Sequence, residues 1–141
     1  MMSSAFQAIH VLGAAVWVGG MFFALLVLRP SLAALEPPQR MALHLQVFRR
    51  FFLVVWHAMP LVLLSGYAII HTRYGGFVGL SKAVHAMHAG GLAMAIVFLV
   101  IFFGFWPRLR RGERVALDAI RWLITLNLLI GMAVIAVAAF A

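Results

Sequence analysis

The stretch AFQAIHVLGAAVWVGGMFFALLVL (residues 5–28) decides the fold, because it is long enough to cross a bilayer and His10 is its only ionisable residue. A transmembrane helix needs about 20 consecutive apolar residues. Three further apolar stretches follow, at about 47–70, 80–106 and 115–140. Because a backbone in lipid must satisfy its own hydrogen bonds, the sequence predicts four transmembrane α-helices rather than strands.

The composition independently indicates an integral membrane protein. The 141 residues are 66% hydrophobic and 10% charged, whereas a soluble domain is about half apolar and about a quarter charged. We therefore expect an all-α, integral membrane four-helix transmembrane bundle that occupies residues 1–141 as one domain, with lipid as its first partner. The absence of cysteine excludes zinc-thiolate sites, iron–sulfur clusters and cysteine nucleophiles.

The basic residues predict the orientation of the bundle. The first and third connections carry Arg29, Arg40, Arg49, Arg50, Arg108, Arg110, Arg111 and Arg114. The second connection region has only Arg73 and Lys82. The positive-inside rule then predicts cytoplasmic first and third connections and both termini outside (N-out/C-out), which is the periplasmic side if the membrane is a Gram-negative inner membrane. The net charge of +8 is explained by orientation and anionic lipid, so we expect no nucleic-acid partner.

Several polar residues fall inside the predicted spans, where they are costly and normally functional. At about 1.5 Å per residue, His10, His85 and His88 lie at one depth near the outer surface, and His57 lies near mid-membrane. We also expect the first stretch to be a retained helix rather than a cleaved signal peptide, since no basic segment precedes it.

Two histidines at one depth on different helices predict bis-histidine ligation of a b-type haem by His10 and His85. Lys82 and Arg73 would lie near the haem propionates, and Trp17 continues the face of His10 towards the macrocycle. The function would be electron transfer, with membrane oxidoreductase activity left open. The partner would be a quinone or a periplasmic redox or copper protein, and a homodimer is compatible with the sequence. Interhelical hydrogen bonds and snorkelling explain the same residues without a ligand.

An alternative of another class is copper transport or copper homeostasis. Its metal ligands at the outer surface would be His10, His85 and His88, and deeper ligands would come from His57, Met59 and Met94. Imidazole and thioether groups suit copper, although an arginine-rich exit is unfavourable for a cation.

Four segments resemble the CopD-type (copper resistance protein D domain) membrane family. They are AIHVLGAAVWVGGMFFALLVLRP (8–30), RRFFLVVWHAMPLVLLSGY (49–67), VHAMHAGGLAM (84–94) and IRWLITLNLLIGMAVIAV (120–137). The resemblance implies a helical inner-membrane protein assigned to copper uptake, usually with a periplasmic copper protein.

The chain is more distantly similar to the HemJ-type haem b membrane proteins. His10 and His85 match the two histidines of that family, which implies that they ligate haem iron. The lysine of its "HAK" motif is replaced by Met87, which argues against protoporphyrinogen oxidase activity.

Overall fold

The computed structural model describes residues 2–141 as four long helices joined by short turns. They are α1 (Met2–Ala34), α2 (Pro37–Tyr74), α3 (Lys82–Arg110) and α4 (Val115–Ala138), and each is long and apolar enough to cross a membrane. The predicted all-helical, four-span fold is confirmed. The first three helices continue several residues beyond the predicted spans at their arginine-rich ends.

The ends of α2 follow from its local sequence. Pro37 occupies the first turn, where its missing N–H is not needed. Glu36 and Gln39 form a capping box, in which the Glu36 N–H donates to the Gln39 side chain at 3.4 Å. The helix ends at Tyr74 and is capped by Gly75, whose φ of 73° strongly favours glycine. The resulting helix is about 57 Å long at 1.5 Å per residue, so it extends beyond a hydrocarbon core of about 30 Å.

Two π-helical turns interrupt α1 and α3, at Ala24–Leu28 and Val100–Phe105. Each lies just before a proline, Pro30 or Pro107. Proline cannot donate to the carbonyl four residues back and clashes with it, and a wider π turn accommodates the ring. Because such a turn contains one additional residue, the side chains beyond it are rotated by about 100° relative to an uninterrupted α-helix.

The helices pack in two close pairs, α1 along α2 and α3 along α4, and α4 also contacts α1. Large aromatic side chains fill the space between α2 and α3. The rings of Phe52 and Trp106 meet edge-to-face at 5.2 Å, and those of Trp56 and Phe98 meet at 5.4 Å. Such edge-to-face pairs stabilise a packed interior beyond the area that they bury.

Packing is uneven along the bundle. We call the end with His10, His85 and His88 the histidine end, and the opposite end, with the first and third connections, the arginine end. In the segment Met2–Phe23 the buried side chains are Trp17, Val18 and Met21, all remote from the N-terminus. In α4 the buried residues begin at Ala116, near the arginine end, and stop at Gly131. The core is therefore dense towards the arginine end and open towards the histidine end.

Candidate functional site

His10 is half-buried on α1, and its side chain is hydrogen-bonded to α2. Its Nδ1 lies 2.9 Å from the Val62 carbonyl oxygen and 3.2 Å from Ser65 Oγ. A Cβ placed on Gly66 would lie 3.2 Å from His10 Cε1, so the absence of a side chain there allows the ring to approach. Because a carbonyl oxygen only accepts, Nδ1 carries the proton and Nε2 has the free lone pair. A carbonyl that orients the ring in this way is typical of metal-ligating histidines.

His88 on α3 is bonded across the bundle to α2. Its Nε2 lies 3.3 Å from the Tyr67 hydroxyl, and its ring lies 4.9 Å from the Tyr67 ring and 5.4 Å from that of Phe77. Such an interhelical hydrogen bond explains His88 without a ligand, and its role as a metal ligand stays a prediction. Tyr67 and Phe77 are not among the predicted site residues, because no sequence spacing links a histidine with a partner on another element.

The remaining candidates at the histidine end are exposed: His85, Lys82 and Arg73. Arg73 Nη1 donates to Gln7 Oε1 at 3.4 Å, which links α2 with α1. Within residues 2–141, His85 makes no side-chain hydrogen bond to protein. Since α1 packs against α2 and α4, the described contacts give no support to a shared haem iron between α1 and α3. The pairing of His10 with His85 therefore stays a prediction. Trp17, which the sequence places towards the haem, is a core residue at 2% exposure.

At mid-depth the polar residue that faces the interior is Asn127. It is 1% exposed, and its Nδ2 donates to the Met94 carbonyl oxygen at 3.2 Å. Its Oδ1 is buried without a hydrogen-bond partner in the part of the chain that the structure describes. His57 instead lies exposed on the outside of α2, with Nδ1 2.8 Å from the Leu53 carbonyl oxygen of its own helix.

Among residues 2–141, no three His, Cys, Asp or Glu side chains are grouped so that they could hold a metal ion. The interior offers thioethers instead. Met21, Met59 and Met94 are 1%, 7% and 4% exposed and belong to one core cluster. Thioether sulfur is a soft ligand that suits Cu(I), and methionine is also a common packing residue.

The arginine end has a cleft of about 480 Å³. Four arginines line it: Arg29, Arg40, Arg114 and Arg121. The buried His44 lies against it at 6% exposure, and His44 Nε2 accepts a hydrogen bond from Arg121 Nη2 at 3.0 Å. Arg121 Nη1 lies 3.5 Å from Asp118 Oδ1, because residues three apart on a helix are neighbours on its surface.

His44 is not among the predicted site residues, because the predicted spans leave residues 29–46 in a connection. The sequence nevertheless contains an indication of its burial. His44 is four residues before Phe48 and eight before Phe52, so a continued helix places all three on one face. Phe48 and Phe52 are 4% and 1% exposed, and His44 continues this buried stripe to the arginine end.

Comparison with known proteins finds one family. The family model described as Copper resistance protein D matches residues 45–141, which is more than half of the chain. The match covers α3, α4 and most of α2, whereas α1 with His10 lies outside it. No curated protein and no solved structure matches significantly.

Proposed function

Because the chain belongs to the Copper resistance protein D family, we propose that it is a multi-pass membrane protein of copper transport or copper homeostasis. Family membership is the observation that carries this proposal. It favours copper over the haem b function that the paired histidines predict. We place the protein in a bacterial inner membrane, with the histidine end outside by the positive-inside rule.

In this proposal, copper first meets the imidazoles of the histidine end. His10 supports such a role because its Nδ1–H is held by the Val62 carbonyl oxygen, which leaves the lone pair of Nε2 free. His88 is a second donor near the same end, and it must exchange its contact with the Tyr67 hydroxyl for the metal. His85 is exposed at the same end. The loose packing of this end gives an ion access to these rings.

Buried thioethers then extend from the histidine end towards the interior. Met59 lies three residues before Val62 on α2, which places it about 4.5 Å deeper than the His10 contact. Val18 and Met94 meet at Gly131, and Val18 is eight residues beyond His10, about 12 Å deeper.

Met21 is eleven residues beyond His10, about 16 Å deeper. In this proposal, three soft sulfur atoms at increasing depth relay Cu(I), which prefers such ligands. The relay ends before the arginine end, where positive charge opposes release of a cation. The geometry therefore supports copper capture and passage into the bundle better than it supports free release on the arginine side.

The test is Cu(I) binding by the detergent-purified chain, measured by competition with a chromophoric Cu(I) chelator. His10→Ala and Met59→Leu should each weaken binding by about tenfold, the effect of losing roughly 1.4 kcal/mol. Met132→Leu is the matched control, because Met132 is 49% exposed on α4 and outside the core cluster. Absence of Cu(I) binding, or equal effects of Met59→Leu and Met132→Leu, would refute the proposal.

The same sample separates copper from haem. A dithionite-reduced minus air-oxidised spectrum of protein expressed with ample haem should lack a b-type α-band if copper is the ligand. An α-band with about one iron per chain, bleached in both His10→Ala and His85→Ala, would restore the haem function and exclude the copper proposal as stated.

A further inference from the structure

The arginine end contains a cleft that the copper proposal does not use. Its volume is about 480 Å³, which lies within the roughly 300–1,000 Å³ of small-molecule sites. A smaller cavity adjoins it, and Arg29, His44 and Arg121 line both. The cleft therefore narrows inward to a base formed by a buried imidazole and a guanidinium.

The charge of this cleft is strongly positive. Of its four arginines, Arg121 pairs with a carboxylate, that of Asp118, which is 74% exposed at the rim. Among residues 2–141, no carboxylate lies within ion-pairing distance of Arg29 or Arg114. Arg29 also lies close enough to Arg121 for their charges to repel. An anion between them would remove this repulsion.

The base of the cleft contains N–H hydrogen-bond donors from Arg121 and His44. A guanidinium has no acceptor, so the 3.0 Å contact with Arg121 requires an unprotonated Nε2 on His44. The His44 ring proton is then on Nδ1. Next to it, the Nε–H of Arg121 is buried and has no hydrogen-bond partner within residues 2–141. A buried donor without a partner needs an acceptor from a ligand or from water.

The backbone of α1 contributes to the position of Arg29. The π turn Ala24–Leu28 directly precedes it, and the extra residue rotates Arg29 by about 100° relative to an uninterrupted α-helix. Leu25, within the π turn, and Leu117, on α4, add apolar surface to the cleft beside Arg29 and Arg114. The lining thus combines guanidinium groups, which bind phosphate oxygens in a bidentate manner, with a surface that accommodates an apolar group.

We propose that this cleft binds a phosphate group, with Arg29 and Arg114 as its main charged donors and with Arg121, oriented by His44, at its base. The phosphate belongs to an anionic phospholipid headgroup or to a free phosphate in solution. Both present the same oxyanion, and the experiment below distinguishes the two sources.

The test uses the full chain in nanodiscs of phosphatidylcholine alone. One arm adds inorganic phosphate at constant ionic strength, with chloride as the balancing anion. The other arm adds phosphatidylglycerol to the bilayer. The unfolding temperature, followed by tryptophan fluorescence, reports binding. We expect it to rise in at least one arm, and the arm in which it rises identifies the source.

Variants then locate the site. Arg29→Gln and Arg114→Gln should each require about tenfold more phosphate or phosphatidylglycerol for the same rise, since each removes charge-assisted hydrogen bonds to the phosphate oxygens. Arg50→Gln is the matched control, because it removes the same charge from an exposed residue of α2 that does not line the cleft.

If either lining variant does not fold, the other one decides the result. A rise in neither arm would overturn the proposal. So would an equal loss in Arg50→Gln, because the effect would then be general attraction of anions to the arginine end. Neither outcome bears on Cu(I) binding at the histidine end.

Discussion

Gly131 on α4 lies where three helices meet, and its replacement by alanine tests the packing of the core. A Cβ built on Gly131 would lie 2.8 Å from Val18 Cγ2 and 3.1 Å from Met94 Cε, whereas nonbonded carbon atoms pack at about 3.5–4.0 Å. Met94 is flexible and can move its terminal methyl. Val18 is stiff, since a β-branched side chain has one strongly preferred rotamer in a helix. The backbone of α4 must therefore move outward.

The magnitude follows from a comparison with Gly19→Ala. A Cβ on Gly19 meets nothing within 4 Å, so this variant has only the gain in helix propensity of alanine over glycine, about 1 kcal/mol. Gly131→Ala has the same gain, but it also has the cost of overpacking a core, about 1–3 kcal/mol. Because the gain is the same in both variants, we expect Gly131→Ala to be less stable than Gly19→Ala by the overpacking cost, about 1–3 kcal/mol.

The assay is equilibrium unfolding in mixed micelles of dodecyl maltoside and sodium dodecyl sulfate, followed by far-ultraviolet circular dichroism. Each variant is compared with the unmodified chain, and the free energies of unfolding are subtracted. Equal stability of the two variants, or greater stability of Gly131→Ala, would refute the close approach of α4 to Val18 and Met94.

Three further substitutions have distinct expected outcomes. His44→Ala should lower the free energy of unfolding by about 1–3 kcal/mol, because it removes the hydrogen-bond acceptor of Arg121, and an unchanged value in the same micelle assay would contradict the buried contact. Tyr67→Phe keeps the ring but removes the hydroxyl 3.3 Å from His88 Nε2, so the free energy of unfolding should fall by about 0.6 kcal/mol, typical of an interhelical hydrogen bond in a membrane. Cu(I) affinity should rise because the imidazole of His88 is released, and weaker Cu(I) binding would argue against His88 as a donor. His57→Leu should leave Cu(I) affinity unchanged and the free energy of unfolding equal or higher, because His57 is exposed and hydrogen-bonded only to its own helix. A loss of Cu(I) binding would make His57 a ligand.

The helical membrane fold could be predicted from the sequence because the constraint is local. An apolar stretch such as residues 5–28 must form its own backbone hydrogen bonds in lipid, whatever its neighbours are. The pairing of Asp118 with Arg121 is local for the same reason, since three residues separate them on one helix. Pro37 is compatible with a first helical turn, but the predicted span begins at about residue 47, because hydropathy identifies only the apolar part of the helix.

The sites depended on which helices pack together and how each is rotated, and these are properties of the whole bundle. His10 is bonded to Val62 on α2 because α1 lies along α2, and no spacing in the sequence specifies that neighbour. His85 and His88 differ by three residues, yet one is exposed and the other is bonded to Tyr67.

The cleft at the arginine end arises in the same way. Arg29, His44 and Arg121 come from three different helices, and a π turn before Pro30 contributes to the direction of the first. The sequence by itself determined the spans, because they depend on the hydropathy of neighbouring residues. It also determined the distribution of charge, because this depends on where the basic residues lie in the chain. The tertiary structure alone decided which polar groups meet, because that depends on contacts between residues far apart in the chain.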